Sequence, residues 1–190
     1  KYDGGIICVG MIFLPRNDYE AQENARTIVE SELTKSNFNI YGWRQVPVNP
    51  KVLGEKANFT RPEITQVLFK HNDKSLKGKD LERKLYESRR KIEKEAIKNA
   101  LDGFYICSLS SKSIIYKGMF LAETMSDFYE DLKDERFISR YVIFHQRYST
   151  NTFPSWSLAQ PFRAIAHNGE INTFKGNSNW MKVHEQEMDS

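Results

Sequence analysis

Cysteine is scarce in this sequence, which contains two in 190 residues, Cys8 and Cys107. They lie in separate apolar stretches and do not have the spacing of metal ligands. Two such thiols disfavour a disulfide scaffold and favour a reducing intracellular compartment, such as the cytoplasm or a plastid-like organelle. We expect both side chains to be small buried hydrophobic groups, and we predict no metal site in the chain.

A membrane-spanning run is also missing, because no apolar stretch reaches the roughly 18 residues that a bilayer requires. The net charge of +3 is too small to predict a nucleic-acid partner. The apolar fraction of 39% and the charged fraction of 28% are typical of a globular protein. The composition therefore predicts a folded domain with a sizeable core, and neither a membrane nor a nucleic acid as its partner.

The first element is a run at residues 6–13 that is apolar on both faces, which predicts a strand buried between two layers. Asn17 and Asp18 follow and can cap a helix. The apolar stripe of that helix consists of Ala21, Ala25, Ile28 and Leu33. A strand rarely begins an independent domain without a partner, and residues 185–190 carry no helix stop signal. Both ends are therefore expected to be interior points of a longer protein.

The rest of the chain alternates short apolar runs with polar segments. A strand followed by a turn is predicted at residues 39–48, because Pro47 and Pro50 interrupt a longer ladder. Further strands are predicted at residues 64–70, 104–109, 113–117, 141–145 and 162–166. The runs at 104–109 and 113–117 are separated by a short polar turn, which predicts a β-hairpin. Helices are predicted at residues 81–101 and from about 124–127 through Leu132. The class is α+β, with antiparallel strands grouped in hairpins and covered by helices.

The stretch at residues 74–98 is basic, with ten Lys or Arg against five Asp or Glu. Such a stretch is either a partner surface or a solvated helix face, and the second interpretation is the more common.

Two segments dense in hydrogen-bond donors each follow a predicted strand, at residues 145–156 and 167–173. Arg147, just past a strand, can hold a carboxylate by a two-pronged hydrogen bond. The side-chain amide of Asn168 and the backbone N–H of Gly169 can converge on one oxygen, as an oxyanion hole requires. Together these groups suggest acyl transfer on an amino-acid substrate. The alternative is structural, because Asn-Gly is also a common hairpin turn.

A His-x-Arg-x-Ser motif followed by His-Asn-Gly resembles the class II glutamine amidotransferases, which are N-terminal-nucleophile hydrolases. The sequence around and beyond these motifs is similar to the glutamate synthase large-subunit family in particular. That similarity covers residues 9–15, 42–47, 104–111, 116–119, 145–156, 161, 166–173, 176–177 and 179–181. The resemblance implies an αββα sandwich of antiparallel sheets covered by helices. It also implies that residues 1–190 are part of one amidotransferase domain, without its N-terminal nucleophile strand and its C-terminal portion.

The same resemblance implies the roles of individual residues. Arg147 would bind the α-carboxylate of L-glutamine, and Asn168 with Gly169 would form the oxyanion hole. Three further residues would lie near the substrate, namely Ser149, Thr150 and Glu170. His145 and His167 flank the site, where packing is the commoner role of such histidines.

The nucleophile of the family is a cysteine at the mature N-terminus. Cys8 falls in a segment that resembles a region well downstream of it, and Cys107 falls in the predicted hairpin. No residue of this chain is therefore expected to be the nucleophile, and the isolated chain is expected to be inactive. For the parent enzyme the resemblance implies FMN, an iron–sulfur cluster and partner domains that use the ammonia to aminate 2-oxoglutarate. No phosphate-binding glycine loop or cysteine cluster for these groups occurs here.

Two alternatives remain open. The first is another class II amidotransferase, of the asparagine or glucosamine-phosphate synthase type, and the run at residues 150–156 argues against it. The second is a non-catalytic binding module with the same fold.

Overall fold

The computed structural model describes residues 4–148, 153–162 and 174–188. The strands are β1 (Ile7–Leu14), β2 (Phe38–Gln45), β3 (Glu63–His71) and β4 (Tyr105–Ser110). The α-helices are α1 (Tyr19–Lys35), α2 (Glu55–Phe59), α3 (Gly78–Lys98), α4 (Met125–Phe128) and α5 (Phe174–Met188). Short 3-10 turns occupy Pro50–Val52, Ala122–Thr124 and Glu130–Lys133. None of the described helices is long and apolar enough to cross a bilayer.

The four strands form one antiparallel sheet in the order β2-β3-β1-β4. Strands β1 and β2 therefore run parallel with β3 between them, and α1 is the crossover that joins them. In the same way α3 joins β3 to β4 across β1, which gives the split β-α-β-β-α-β arrangement. The predicted α+β class with an antiparallel, helix-covered sheet is confirmed. The predicted grouping in hairpins is wrong for β1 and β4, because a helix crossover places each of them beside a strand distant in sequence.

One face of the sheet is covered by α1 and α3. The apolar side chains between them form a single buried core, in which Ala25 and Leu33 of the predicted α1 stripe are joined by Val29. Asp18 is the N-cap of α1, and its carboxylate accepts a hydrogen bond from the N–H of Ala21 at 2.9 Å. The predicted cap and helix are thus confirmed.

Helix α3 contains most of the basic stretch at residues 74–98. Its apolar side, Leu81, Leu85 and Ile92, is buried against the sheet. Its charged side contains ion pairs between solvent-accessible side chains of the helix, including Lys98 Nζ to Glu95 Oε1 at 2.5 Å. This is the arrangement of a solvated helix face.

The other face of the sheet is covered by irregular chain rich in aromatic rings. Its core contains Met11 and Phe13 of β1 and the buried Phe128, Tyr129 and Trp156. Strand β1 is consequently buried on both faces, as its continuous apolar run predicted.

Two predicted strands are not strands in the structure. Residues 113–117 return beside β4 but bond to its serine hydroxyls instead of its backbone. The Oγ of Ser108 accepts from the N–H of Ile115 at 3.2 Å, and the Oγ of Ser110 accepts from the N–H of Ser113 at 3.3 Å. These hydroxyls replace the backbone ladder that a hairpin would need.

Residues 141–145 are irregular and exposed, with Tyr141 and Phe144 each more than three-quarters exposed. No described strand lies beside them, so their backbone has no ladder partner. The helix predicted near residues 124–132 is broken into two short turns and α4. Phe162 begins the last predicted strand and has no regular structure, and the remainder of that strand lies outside the described residues.

Gly10→Ala in β1 is expected to lower the free energy of unfolding by about 1–3 kcal/mol. An added Cβ would lie 2.7 Å from Val67 Cγ1 and 2.8 Å from Leu109 Cδ1, closer than packed carbon atoms approach. Gly54→Ala is the matched control, because nothing lies within 4 Å of its Cβ position. Urea unfolding of both variants beside the unaltered protein measures the difference, and equal midpoints for the two would contradict the prediction.

Candidate functional site

A large cavity lies where the aromatic-covered face meets the irregular chain. It has a volume of about 1040 Å³, and we call it the Arg147 cavity. Its lining consists of residues 52, 54–57, 116–125, 142–148, 154 and 159–161. This size is slightly above the range of about 300–1,000 Å³ for pockets that hold small molecules. The cavity therefore brings the first half of the donor-rich motif together with residues 116–125, which are distant in sequence.

Arg147 belongs to this lining and is exposed. Within the described residues, no hydrogen bond or ion pair engages its guanidinium. An unpaired guanidinium with five donors in a planar fork can receive a carboxylate without first losing a protein partner. His145, which flanks the motif, is also exposed and also lines the cavity.

The segment 153–162 begins within the first donor-rich segment and ends before the second, and it is tied to the rest of the domain at three points. The indole N–H of Trp156 donates to the carbonyl of Ala57 at 3.0 Å. The hydroxyl of Tyr148 exchanges two hydrogen bonds of 2.7 Å with the backbone of Ser155. The ammonium of Lys117 donates to the carbonyl of Ser157 at 2.8 Å. The segment is thus fixed even though it contains no strand and no long helix.

Trp156 is the buried aromatic anchor of the segment, with 4% of its surface exposed. Its ring packs edge-on against Phe13 of β1 at a centroid distance of 6.1 Å and lies 5.6 Å from Phe128. The ring also lies close over Gly118, where an added Cβ would collide with it and with Phe120. A glycine is therefore required at position 118 for the indole to reach the sheet.

Lys117 is the unusual charged group of this region, because only 2% of it is exposed. Besides Ser157, its Nζ donates to the hydroxyl of Tyr105 at 3.2 Å. The ammonium also lies 4.4 Å from the Tyr105 ring centroid and 4.8 Å from that of Phe162, both distances typical of cation–π contacts. Burial lowers the pKa of Lys117 to about 8, and Arg89 adds a smaller repulsion, while Cys107 acts in the opposite direction.

The predicted site residues divide into two groups. Arg147 lies in the cavity lining, as just described. The other five lie outside the described residues, namely Ser149, Thr150, Asn168, Gly169 and Glu170, as does the flanking His167. Sequence reasoning did not single out Lys117 or Trp156. The available signal for Lys117 was its place directly after the apolar run 114–116. Burial of that run would also bury the lysine that follows it.

The two cysteines are both buried, as predicted. Cys8 belongs to the core on the helix face of the sheet, whereas Cys107 belongs to the aromatic core on the other face. Burial raises the pKa of each thiol to about 12, so neither is a thiolate near neutral pH. Among the described residues, no group of three or more His, Cys, Asp or Glu could hold a metal ion. The described residues therefore do not fit an iron–sulfur cluster.

A second cavity, of about 610 Å³, lies over the edge of the same sheet face. Its central charges are paired with one another: Arg44 of β2 makes a two-pronged contact with Asp131, whose carboxylate also accepts from Tyr116 at 3.0 Å. The Arg44 hydrogen bonds are the main cause of a lowered Asp131 pKa. The amide of Gln66 donates to the Tyr116 hydroxyl at 3.3 Å. This network joins β2 and β3 to the irregular cover.

Comparison with known protein families identifies the family of this chain. Residues 2–190 match the family described as "Glutamine amidotransferases class-II". This match spans nearly the whole chain, and the chain belongs to that family.

Among curated proteins, the chain is 58% identical to the glutamate synthase (NADPH) large chain of Azospirillum brasilense over 183 residues. It is 46% identical to the chloroplastic ferredoxin-dependent glutamate synthase of Spinacia oleracea and 43% identical to ferredoxin-dependent glutamate synthase 2 of a Synechocystis species. These alignments cover 96–98% of this chain but 11–12% of each relative. The chain thus spans about one eighth of the length of the proteins that it resembles.

Proposed function

We propose that this chain is the glutamine-holding part of the glutaminase domain of a glutamate synthase. The observation that carries the proposal is an exposed Arg147 in a large cavity, with no described residue paired to its guanidinium, within a chain of the class II amidotransferase family. Its guanidinium would bind the α-carboxylate of L-glutamine by two parallel hydrogen bonds. Residues 1–190 would then be one part of an amidotransferase domain that also includes a nucleophile strand and a C-terminal portion elsewhere in the protein.

In this proposal the reaction is the hydrolysis of glutamine to glutamate and ammonia. A cysteine thiol of the full-length protein would attack the side-chain amide carbon. Asn168 and Gly169 would stabilise the resulting oxyanion, with Ser149, Thr150 and Glu170 close to the substrate. Ammonia would leave as the C–N bond breaks, and water would hydrolyse the thioester to release glutamate and regenerate the thiol.

The ammonia would then pass to other domains of the protein, where it would aminate 2-oxoglutarate. FMN and an iron–sulfur cluster would supply the electron transfer there. The names of the relatives favour glutamate synthase over the asparagine or glucosamine-phosphate synthase type.

The test compares ammonia release from glutamine by three proteins. The full-length protein is expected to be active, and the same protein with Cys8→Ala and Cys107→Ala is expected to retain most of that activity, since both thiols are buried. The isolated 190-residue chain is expected to release no ammonia above background. An inactive full-length protein would favour a non-catalytic binding module, and turnover by the isolated chain would contradict the absence of the nucleophile.

A further inference from the structure

We infer that Lys117 is a positioning residue for glutamine, because its buried ammonium holds the segment 153–162 in the conformation that the substrate site requires. This inference rests on the proposed function. It assigns a role to a side chain outside the donor-rich motif, which carries the residues expected to touch glutamine.

The segment 153–162 lies in the sequence between the two groups of predicted site residues. Arg147, Ser149 and Thr150 precede it, and Asn168 and Gly169 follow it. The carboxylate-binding and oxyanion-binding groups are therefore joined through this segment, and a shift of it by about 1 Å would change their separation. A displacement of that size is enough to lower kcat/KM strongly.

Several contacts converge on one nitrogen, the Nζ of Lys117. Lys117 Nζ bonds the carbonyl of Ser157 within the segment and the hydroxyl of Tyr105 on β4. It also lies over the rings of Tyr105 and Phe162, and Phe162 is the last described residue before the second half of the motif. One ammonium thus connects the sheet to the middle and to the end of the segment.

Because Lys117 is buried, its contacts with the segment 153–162 depend on the charge of its side chain. The backbone carbonyl of Lys117 accepts a hydrogen bond from the hydroxyl of the buried Tyr129 at 2.7 Å, which fixes the main chain at that point. The titratable and charged groups that face the ammonium are Tyr105 and Cys107 on β4 and Arg89 on α3. Cys107 titrates only at about 12, so it remains a neutral thiol while Lys117 loses its proton near 8. Deprotonation would remove the attraction to both rings and weaken the bond to Ser157.

The test uses the full-length protein with Lys117→Met, which keeps an unbranched side chain one atom shorter and removes the charge. At pH 7 the KM for glutamine is expected to rise on the order of 10-fold, with kcat changed less than about 2-fold, because a charge-assisted hydrogen bond and two ring contacts are lost. In the unaltered protein KM is expected to rise as pH increases through about 8, and this alkaline limb should be absent from Lys117→Met. Lys112→Met is the matched control, since Lys112 is exposed on the same stretch of chain.

A second variant and a second measurement keep the inference testable if Lys117→Met folds poorly. Tyr105→Phe removes the hydroxyl but keeps the ring, and a KM increase of about 3-fold is expected with the alkaline limb retained. Hydrogen exchange should become faster in residues 153–162 of Lys117→Met and unchanged in Lys112→Met. An unchanged KM in both Lys117→Met and Tyr105→Phe, or an alkaline limb that persists in Lys117→Met, would overturn the inference. Absence of glutaminase activity from the unaltered protein would instead overturn the proposed function, and the exchange measurement would still decide whether Lys117 holds the segment.

Discussion

Replacing Arg147 with methionine is expected to lower kcat/KM for glutamine by about 10²- to 10³-fold in the full-length protein, mainly through KM. The reason is that a bound carboxylate would lose its two-pronged partner, a change that costs about 3–4 kcal/mol. Arg147 is exposed in the cavity lining and is not bonded by another described residue, so the variant should not disturb the fold. Ammonia release at a series of glutamine concentrations measures the effect.

The control for this prediction lies on the same irregular stretch. Arg140 is also exposed but is not part of the cavity lining, and Arg140→Met should leave KM within about 2-fold of the unaltered protein. Arg147→Lys should be intermediate, because lysine keeps the charge but cannot make two parallel hydrogen bonds.

A substrate change identifies which group of glutamine Arg147 binds. The unaltered protein should discriminate strongly against 4-aminobutanamide, which lacks the α-carboxylate. Arg147→Met should discriminate far less, because both substrates then lack the same interaction. Equal discrimination by the two proteins would show that Arg147 does not bind the carboxylate.

Trp156→Ala is expected to destabilise the domain by about 3–5 kcal/mol, the usual cost of deleting a large buried ring. The indole lies against Phe13 and Phe128 and closes the aromatic core over β1. The same substitution should abolish most glutaminase activity, because Trp156 also ties the segment 153–162 to the carbonyl of Ala57. Hydrogen exchange of the β1 and β4 amides measures the free energy of opening.

Two variants separate the contributions of Trp156. Trp156→Phe keeps most of the ring and loses the N–H, so a smaller cost of about 1–3 kcal/mol is expected from the unbonded Ala57 carbonyl. Trp180→Ala is the matched control, since Trp180 is 77% exposed on α5. If Trp156→Ala and Trp180→Ala had equal effects on exchange, the aromatic core would not depend on Trp156.

The local elements could be predicted from the sequence because each depends on neighbouring residues. The apolar run of β1 predicted a strand buried on both faces, and Asp18 predicted the start of α1. The strand at residues 64–70 and the helix at 81–101 were predicted within three residues at each end. The motif around Arg147 predicted the family to which the chain belongs.

The sequence misled where an apolar run needed a partner to become a strand. Residues 113–117 have strand-like composition, yet the hydroxyls of Ser108 and Ser110 take the bonds that a β-ladder would use. Residues 141–145 look equally strand-like, but no described strand lies beside them. Composition cannot distinguish these cases, because a strand is stabilised by its neighbour and not by its own residues.

By itself the sequence determined the strands β1 to β4, the helices α1 and α3, the family and the donor-rich motif that predicts a glutamine site, since these depend on residue type and spacing. The tertiary structure alone decided the strand order β2-β3-β1-β4, because two helix crossovers bring together strands that are far apart in the chain. It alone also decided that Lys117 is buried beneath the segment 153–162. A lysine is exposed by default, and only the packing of Tyr105, Phe162 and Ser157 around its nitrogen makes it an internal anchor.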